Sequence, residues 1–267
     1  MKKIIVATDF SIEADNAMEY AAKFAAEHQY EIVLFSLHNT SIHAQNARLS
    51  GTAMNSLLDH KHELLQKIAC GLSEKYKITV NSYFASGDFY EQLLKAITET
   101  DADILVMGMP PKTLDLELLG NTTTKALDLI KIPILTVPVE AKYHGIQNIL
   151  FACDMMKGLH RLILQSVRNT IEDLGSKLEV FHVSTRSEEL IEETKAIDEI
   201  LEGTDYFYRN IESKKIIESI EAEVNNINAD LLIMAPHRYT FWESIIHKSK
   251  TKTMVAESKI PLLSLNL

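Results

Sequence analysis

Two carboxylates stand where chemistry could be done: Asp9 and Asp154 each close a short apolar run and precede a helical pattern. A carboxylate at a strand end can serve as a general acid or base when a partnering group is near. It can equally cap the helix that follows, and the residue order shows no partnering base. Cys153, adjacent to Asp154, is a candidate reactive thiol or a small buried hydrophobe. His60 and His62, with His38 and His43 nearby, carry metal-ligating nitrogens. Positions two apart on a helix do not share a face, so solvated histidines explain this pattern more simply. The stretch PHRYTFW at 236–242 is bulky and cationic. Its His237 and Arg238, with Lys248, Ser249 and the strand-end Asp154, form a candidate anion site, unless Arg238 fills that space with its own side chain. Phe241 and Trp242 read as a lid or an interdomain contact. The chain has no GxxxxGK[ST] loop and no GxGxxG fingerprint, which removes the usual nucleoside-triphosphatase and dinucleotide motifs.

The elements that must position these groups are written twice. KKIIVATDFS at 2–11 is echoed by QNILFACDMM at 147–156, ADILVMGMP at 102–110 by ADLLIMAPH at 229–237, and KIPILTVP at 131–138 by KIPLLSLN at 259–266. In the first copy, strands are predicted at 4–8, 32–37, 78–84, 104–107 and 134–137. Helices fall between them at 14–27, from about 51 to 76, at 90–98 and at 122–130. The second copy repeats the order, with strands at 149–152, 178–183, 206–208, 231–234 and 262–265. Its helices are read at 159–174, 187–201, 213–226 and 243–257. Continuous β-branched runs alternating with helices imply a parallel sheet covered on both faces. The expected division is 1–140 and 145–267, and the first copy carries the longer connection, at about 38–62.

Composition narrows the classes. The 267 residues are 46% hydrophobic and 24% charged, with a net charge of −10, as in a globular protein. Acidic residues outnumber basic ones in both halves, 18 to 12 up to Glu140 and 19 to 15 after it. Neither half is the basic module that a nucleic-acid backbone requires. Cys70 and Cys153 are the two cysteines and form no disulfide framework. The apolar run after Met1 is short for a signal peptide, and no stretch has the length of a membrane span. A cytoplasmic location with no membrane partner is the expectation.

The strand ending in Thr8-Asp9-Phe10-Ser11, the Ala-rich helix after it, the ADILVMG segment and the closing KIPIL resemble universal stress protein domains. The resemblance spans nearly the whole chain as two tandem copies. It implies two doubly wound α/β domains of the adenine nucleotide alpha hydrolase-like type, each with five parallel strands in the order 3-2-1-4-5. The copies are expected to pack as an internal pseudo-dimer, with a homodimer of chains left open. Ligands of such sheets lie beyond the carboxyl ends of the strands where the order reverses. Many family members bind ATP there through a loop written G-x2-G-x9-G-[ST], whose glycines let backbone N–H groups approach phosphate.

This chain departs from that pattern differently in each copy. The first keeps Gly108 and Gly120, has Pro111 at the middle position and is one residue short, with Asn121-Thr122 following. The second keeps the length, but Ala235, Arg238 and Lys248 stand at the glycine positions before Ser249. Two readings of the first copy follow. In one, Thr8, Asp9, Leu37, Gly108, Gly120, Asn121 and Thr122 form a residual site for ATP or another adenine nucleotide, with no metal beyond its accompanying magnesium. In the other, the glycines serve turns and helix starts around an empty pocket. The second copy is not expected to bind ATP in the family manner. Together these features imply a stress-response protein that senses a small molecule rather than a dedicated enzyme, or else a nucleotide-independent interaction protein.

Overall fold

Strand residues alternate between two apolar cores because both faces of the sheet are covered. In β1 (Lys3–Ala7), Ile4 and Val6 join one core while Ile5 and Ala7 join the other. The computed structural model describes residues 1–38, 51–109, 120–153, 161–184, 191–235 and 260–265. The elements run in the order β1, α1 (Ile12–His28), β2 (Glu31–His38), α2 (Gly51–Tyr76), β3 (Val80–Ser86), α3 (Phe89–Thr100), β4 (Ile104–Met109), α4 (Gly120–Leu129) and β5 (Ile134–Pro138). The second half follows as β6 (Asn148–Cys153), α5 (Arg161–Leu174), β7 (Lys177–Ser184), α6 (Ile191–Leu201), β8 (Tyr206–Glu212), α7 (Ile216–Asn226), β9 (Leu231–Met234) and β10 (Leu262–Ser264). One core packs α1, α2, α5 and α6 on the sheet. The other packs α3, α4 and α7.

All ten strands form one sheet, ordered β3-β2-β1-β4-β5-β10-β9-β6-β7-β8. Each half therefore has the expected 3-2-1-4-5 order, but the two parallel sheets are fused. The junction is antiparallel and pairs Thr136 with Leu262, Leu135 with Leu263 and Ile134 with Ser264. Leu135 and Leu263 occupy the same place in the two KIP repeats, so the central pair is a residue facing its own duplicate. That is the self-complementary geometry of a twofold interface, built here within one chain as a pseudo-dimer.

Hydrogen bonds repeat with the sequence. The Lys3 N–H donates to Asp103 Oδ2 at 2.7 Å, and the Asp103 N–H returns to the Lys3 carbonyl at 2.9 Å. Asn148 and Asp230 make the same clasp at 2.9 and 2.8 Å. The repeated Ala-Asp thus ties the start of one strand to its neighbour. The repeated proline does the same, with Leu105 N–H to Pro133 O and Leu232 N–H to Pro261 O, both at 3.0 Å.

Between the halves, buried Asn16 of α1 holds the linker. Its Nδ2 donates to the carbonyls of Pro138 and Ala141, each at 2.9 Å, and its Oδ1 accepts from Lys142 Nζ at 2.6 Å. Strands β3 and β8 lie at the two ends of the sheet and differ most from their predicted bounds. Neither is buried along its length: β3 exposes Asn81 and Ser86, and β8 exposes Phe207, Arg209, Asn210 and Glu212, so polar positions dilute the apolar signal. The predicted helix at 243–257 and residues 39–50 of the long connection at 38–62 lie outside the described residues, and α2 begins at Gly51.

Candidate functional site at the carboxyl ends of the first-half strands

The turn from β1 into α1 uses three side-chain oxygens in succession. Thr8 Oγ1 accepts from the Phe10 N–H at 3.0 Å, Asp9 Oδ1 from the Ser11 N–H at 3.0 Å, and Ser11 Oγ from the Ala14 N–H at 3.3 Å. Phe10 is forced to a φ of 66°, a left-handed conformation costing about 1–2 kcal/mol in a residue with a Cβ. Its ring packs against the core, which offsets that strain. Thr8 is buried, its N–H bound to Phe35 O at 2.8 Å, while Asp9 is exposed. Asp9 is therefore a turn former with its carboxylate at the surface. It also acts on Asp15 in the first turn of α1, whose carboxyl is held above its ordinary range by burial first and by the Asp9 charge second.

Gly108, near the end of β4, has a steric reason of its own. A Cβ there would lie 2.5 Å from the Glu13 carbonyl carbon and oxygen and 2.8 Å from the Ala14 nitrogen. The first turn of α1 thus rests directly on β4, and only glycine permits that approach. Gly108 therefore carries a packing constraint that the loop pattern does not express: the space a side chain would take is filled by helix backbone.

Leu37 is half-buried near the end of β2 and packs against the same core as Tyr90 and Met109. Gly120 begins α4. The exposed Thr122 accepts a hydrogen bond at its carbonyl from the Tyr90 hydroxyl at 3.2 Å, and Lys125 Nζ lies 4.4 Å from the Tyr90 ring centroid. Tyr90 itself follows Asp88, whose Oδ1 caps α3 by accepting from the Tyr90 and Glu91 N–H groups at 3.0 Å. The carboxyl edge of the first half therefore gathers Thr8, Asp9, Leu37 and Gly108 with the starts of α3 and α4. Tyr90 and Lys125 were missed from sequence. Their only signal is Tyr90's place just after the Gly87-Asp88 turn.

Pro111 of the first copy and Asp154, His237, Arg238, Phe241, Trp242, Lys248 and Ser249 of the second lie outside the described residues. Cys153 is half-buried against the core, its Sγ 3.9 Å from Phe181 O, while Cys70 is exposed. His62 stacks on Phe84, with ring centroids 5.4 Å apart, and Gln66 Nε2 lies 3.2 Å from its Nε2. No cluster of three or more metal-ligating side chains occurs among the described residues, and none of their helices is long and apolar enough to cross a membrane. A cavity of about 260 Å³ lies at the opposite ends of β1 and β4, where Lys2, Ile104 and Leu135 meet Asp173, Leu263 and Leu265 of the second half. It is separate from the carboxyl-edge residues.

The universal stress protein family model matches residues 1–138, just over half of the chain. Among solved structures, a universal stress protein from Archaeoglobus fulgidus aligns with a TM-score of 0.77 at 20% identity, covering 99% of this chain and 98% of its own. A functionally unknown protein from Pseudomonas aeruginosa aligns at 0.57 and 14% identity, covering 100% and 92%. At these identities the structures speak to the fold alone. No curated protein matches the chain. The family match over the first half, together with a fold repeated in the same strand order in the second, leads to one conclusion: the chain belongs to the universal stress protein family.

Proposed function

We propose that this protein is a cytoplasmic ligand-sensing module, divided at about 1–140 and 145–267, whose first domain holds an adenine nucleotide and whose second does not. The observation that carries this reading is the juxtaposition at the switch point: the end of β1 with exposed Asp9, the end of β4 and the half-buried Leu37 share one carboxyl edge. Open α/β sheets take their ligands at that point. Leu37, Tyr90 and Met109 are suited to a flat apolar base, Asp9 to hydroxyls or a magnesium-bearing phosphate, and the N–H groups opening α4 at Gly120, Asn121 and Thr122 to phosphate oxygens. The Asp9 and Asp15 charges oppose a bare polyphosphate, so the magnesium complex of ATP is the form favoured.

Gly108 favours a second reading. Packing alone is enough to require a glycine there, with or without a phosphate loop. In that reading the chain is a nucleotide-independent interaction protein acting through its pseudo-dimer surface, or through a homodimer. Calorimetry separates the two. Magnesium-ATP or AMP should bind with a stoichiometry of one. Asp9→Asn, which keeps an acceptor for the Ser11 N–H, should weaken binding about tenfold, equivalent to about 1.4 kcal/mol, with Tm unchanged. Folded protein giving no heat up to millimolar nucleotide would favour the interaction protein instead.

A further inference from the structure

The two halves diverge most sharply in chemistry beneath α7. Val33 of β2 is 5% exposed and Ala96 of α3 is 0% exposed, and both lie in one apolar core with Tyr83 of β3 packed against it. The duplicate of Val33 is Glu179: Val33 pairs with Ile5 on β1, and Glu179 pairs with Leu150 on β6. The duplicate of Ala96 is Glu223. The two helices end alike, with Ala102 N–H on Ile97 O and Ala229 N–H on Val224 O. The duplicate of Tyr83 is Arg209, since the two pair with Phe35 and Phe181 respectively. An apolar cluster in one half has thus become two carboxyls and a guanidinium in the other.

The charges do not balance if both acids ionise. Glu179 is 1% exposed and Glu223 5%. Arg209 Nη1 and Asn226 Nδ2 both donate to Glu223 Oε1, each at 2.8 Å, so Glu223 is the held anion. Neither oxygen of Glu179 meets an N–H donor among the described residues, and its carboxyl lies against that of Glu223, which can only accept from it while Glu179 is protonated. Its strand neighbours Leu150 and Phe207 are uncharged. Among the described residues, Glu223 from α7 and Arg209 from β8 are the charged groups acting on it. A buried carboxyl beside a carboxylate, with one cation already engaged, favours its protonated form.

From this geometry we infer that Glu179, Glu223 and Arg209 form a proton-operated latch, which fastens α7 to the sheet of the second half while Glu179 is protonated and loosens it when Glu179 ionises. Burial, and then the Glu223 charge, raise the Glu179 carboxyl to about 7, so the latch works near neutrality. The sign follows from proton binding. Between an ordinary glutamate value of about 4.3 and about 7, the folded state holds a proton that the opened state does not, so stability falls as pH rises. The half-exposed Arg209 on the outermost strand β8 leaves a route for the proton to water.

Hydrogen exchange on the full chain tests the latch. After correction for intrinsic exchange, protection of α7 amides should fall about 30-fold between pH 5.5 and pH 8, while α3 protection stays level. Glu179→Gln, a neutral isostere of the protonated acid, should abolish the fall. Infrared spectra of the unmodified protein give a second measure independent of any variant. A buried carboxylic-acid carbonyl band should be present at pH 5.5, fade through about pH 7, and be missing in Glu179→Gln. An α7 protection that does not change with pH, or a Glu179 carboxyl already ionised at pH 5.5, would overturn the inference.

Discussion

Gly108→Ala is expected to destabilise the first half by about 3 kcal/mol, the upper end of the usual cost of overpacking. The new Cβ would sit 2.5 Å from two backbone atoms of Glu13 and 2.8 Å from a third, on Ala14. No rotamer change relieves a clash with backbone, so α1 must lift from β4. That helix is pinned by the Ser11 cap and by the Thr8 and Asp9 turn. Thermal unfolding should register the loss as roughly 6–12 °C in Tm for a chain of this size. Gly71→Ala supplies the opposite sign. Gly71 lies inside α2, and a Cβ there meets nothing within 4 Å, so the alanine should stabilise by about 0.5–1 kcal/mol. Equal effects from the two substitutions would contradict the packing role of Gly108. Loss of nucleotide binding in Gly108→Ala would therefore report on the fold rather than on a phosphate cradle.

The second large effect is expected at Asn16. One buried amide satisfies the carbonyls of Pro138 and Ala141 and accepts from Lys142, fixing the chain where it leaves β5. Asn16→Ala removes these three hydrogen bonds, at about 1 kcal/mol each, for a total of about 3 kcal/mol. Asn16→Asp should do no better, because a carboxylate cannot donate to the two carbonyls. Urea denaturation followed by circular dichroism measures both variants. A midpoint within error of the unmodified protein would show that water replaces the amide without loss.

Much of the fold was legible because burial imposes a simple pattern. A strand covered on both faces must be apolar throughout, so β1, β4 and their duplicates stand out, and their alternation with helices dictates a parallel sheet. The edge strands β3 and β8 were drawn with the wrong bounds because solvent admits polar residues there. The fusion of the two sheets was not legible. IPIL and IPLL specify buried strands, but nothing in them specifies that Leu135 will face Leu263 in antiparallel register.

The site was legible in its location and less so in its roles. Asp9 was read as either a reactive carboxylate or a cap, and it makes the turn before Ser11 while remaining exposed. The residue order leaves Gly108 open to a phosphate-loop or a turn role, and it does not reveal the packing constraint from α1, which is distant in sequence. Tyr90 and Lys125 owe their position to the meeting of α3 and α4, which no local spacing encodes. The exchange of Val33 and Ala96 for Glu179 and Glu223 could not be seen until the register aligned the two halves.

The most direct test of the central claim is photolabelling of the full chain with 8-azido-ATP in the presence of magnesium, followed by peptide mapping. Saturable labelling, competed by ATP and confined to first-half peptides near Asp9, Leu37 or Tyr90, is the expected result. Labelling confined to the second half, or none that ATP competes away, would contradict it.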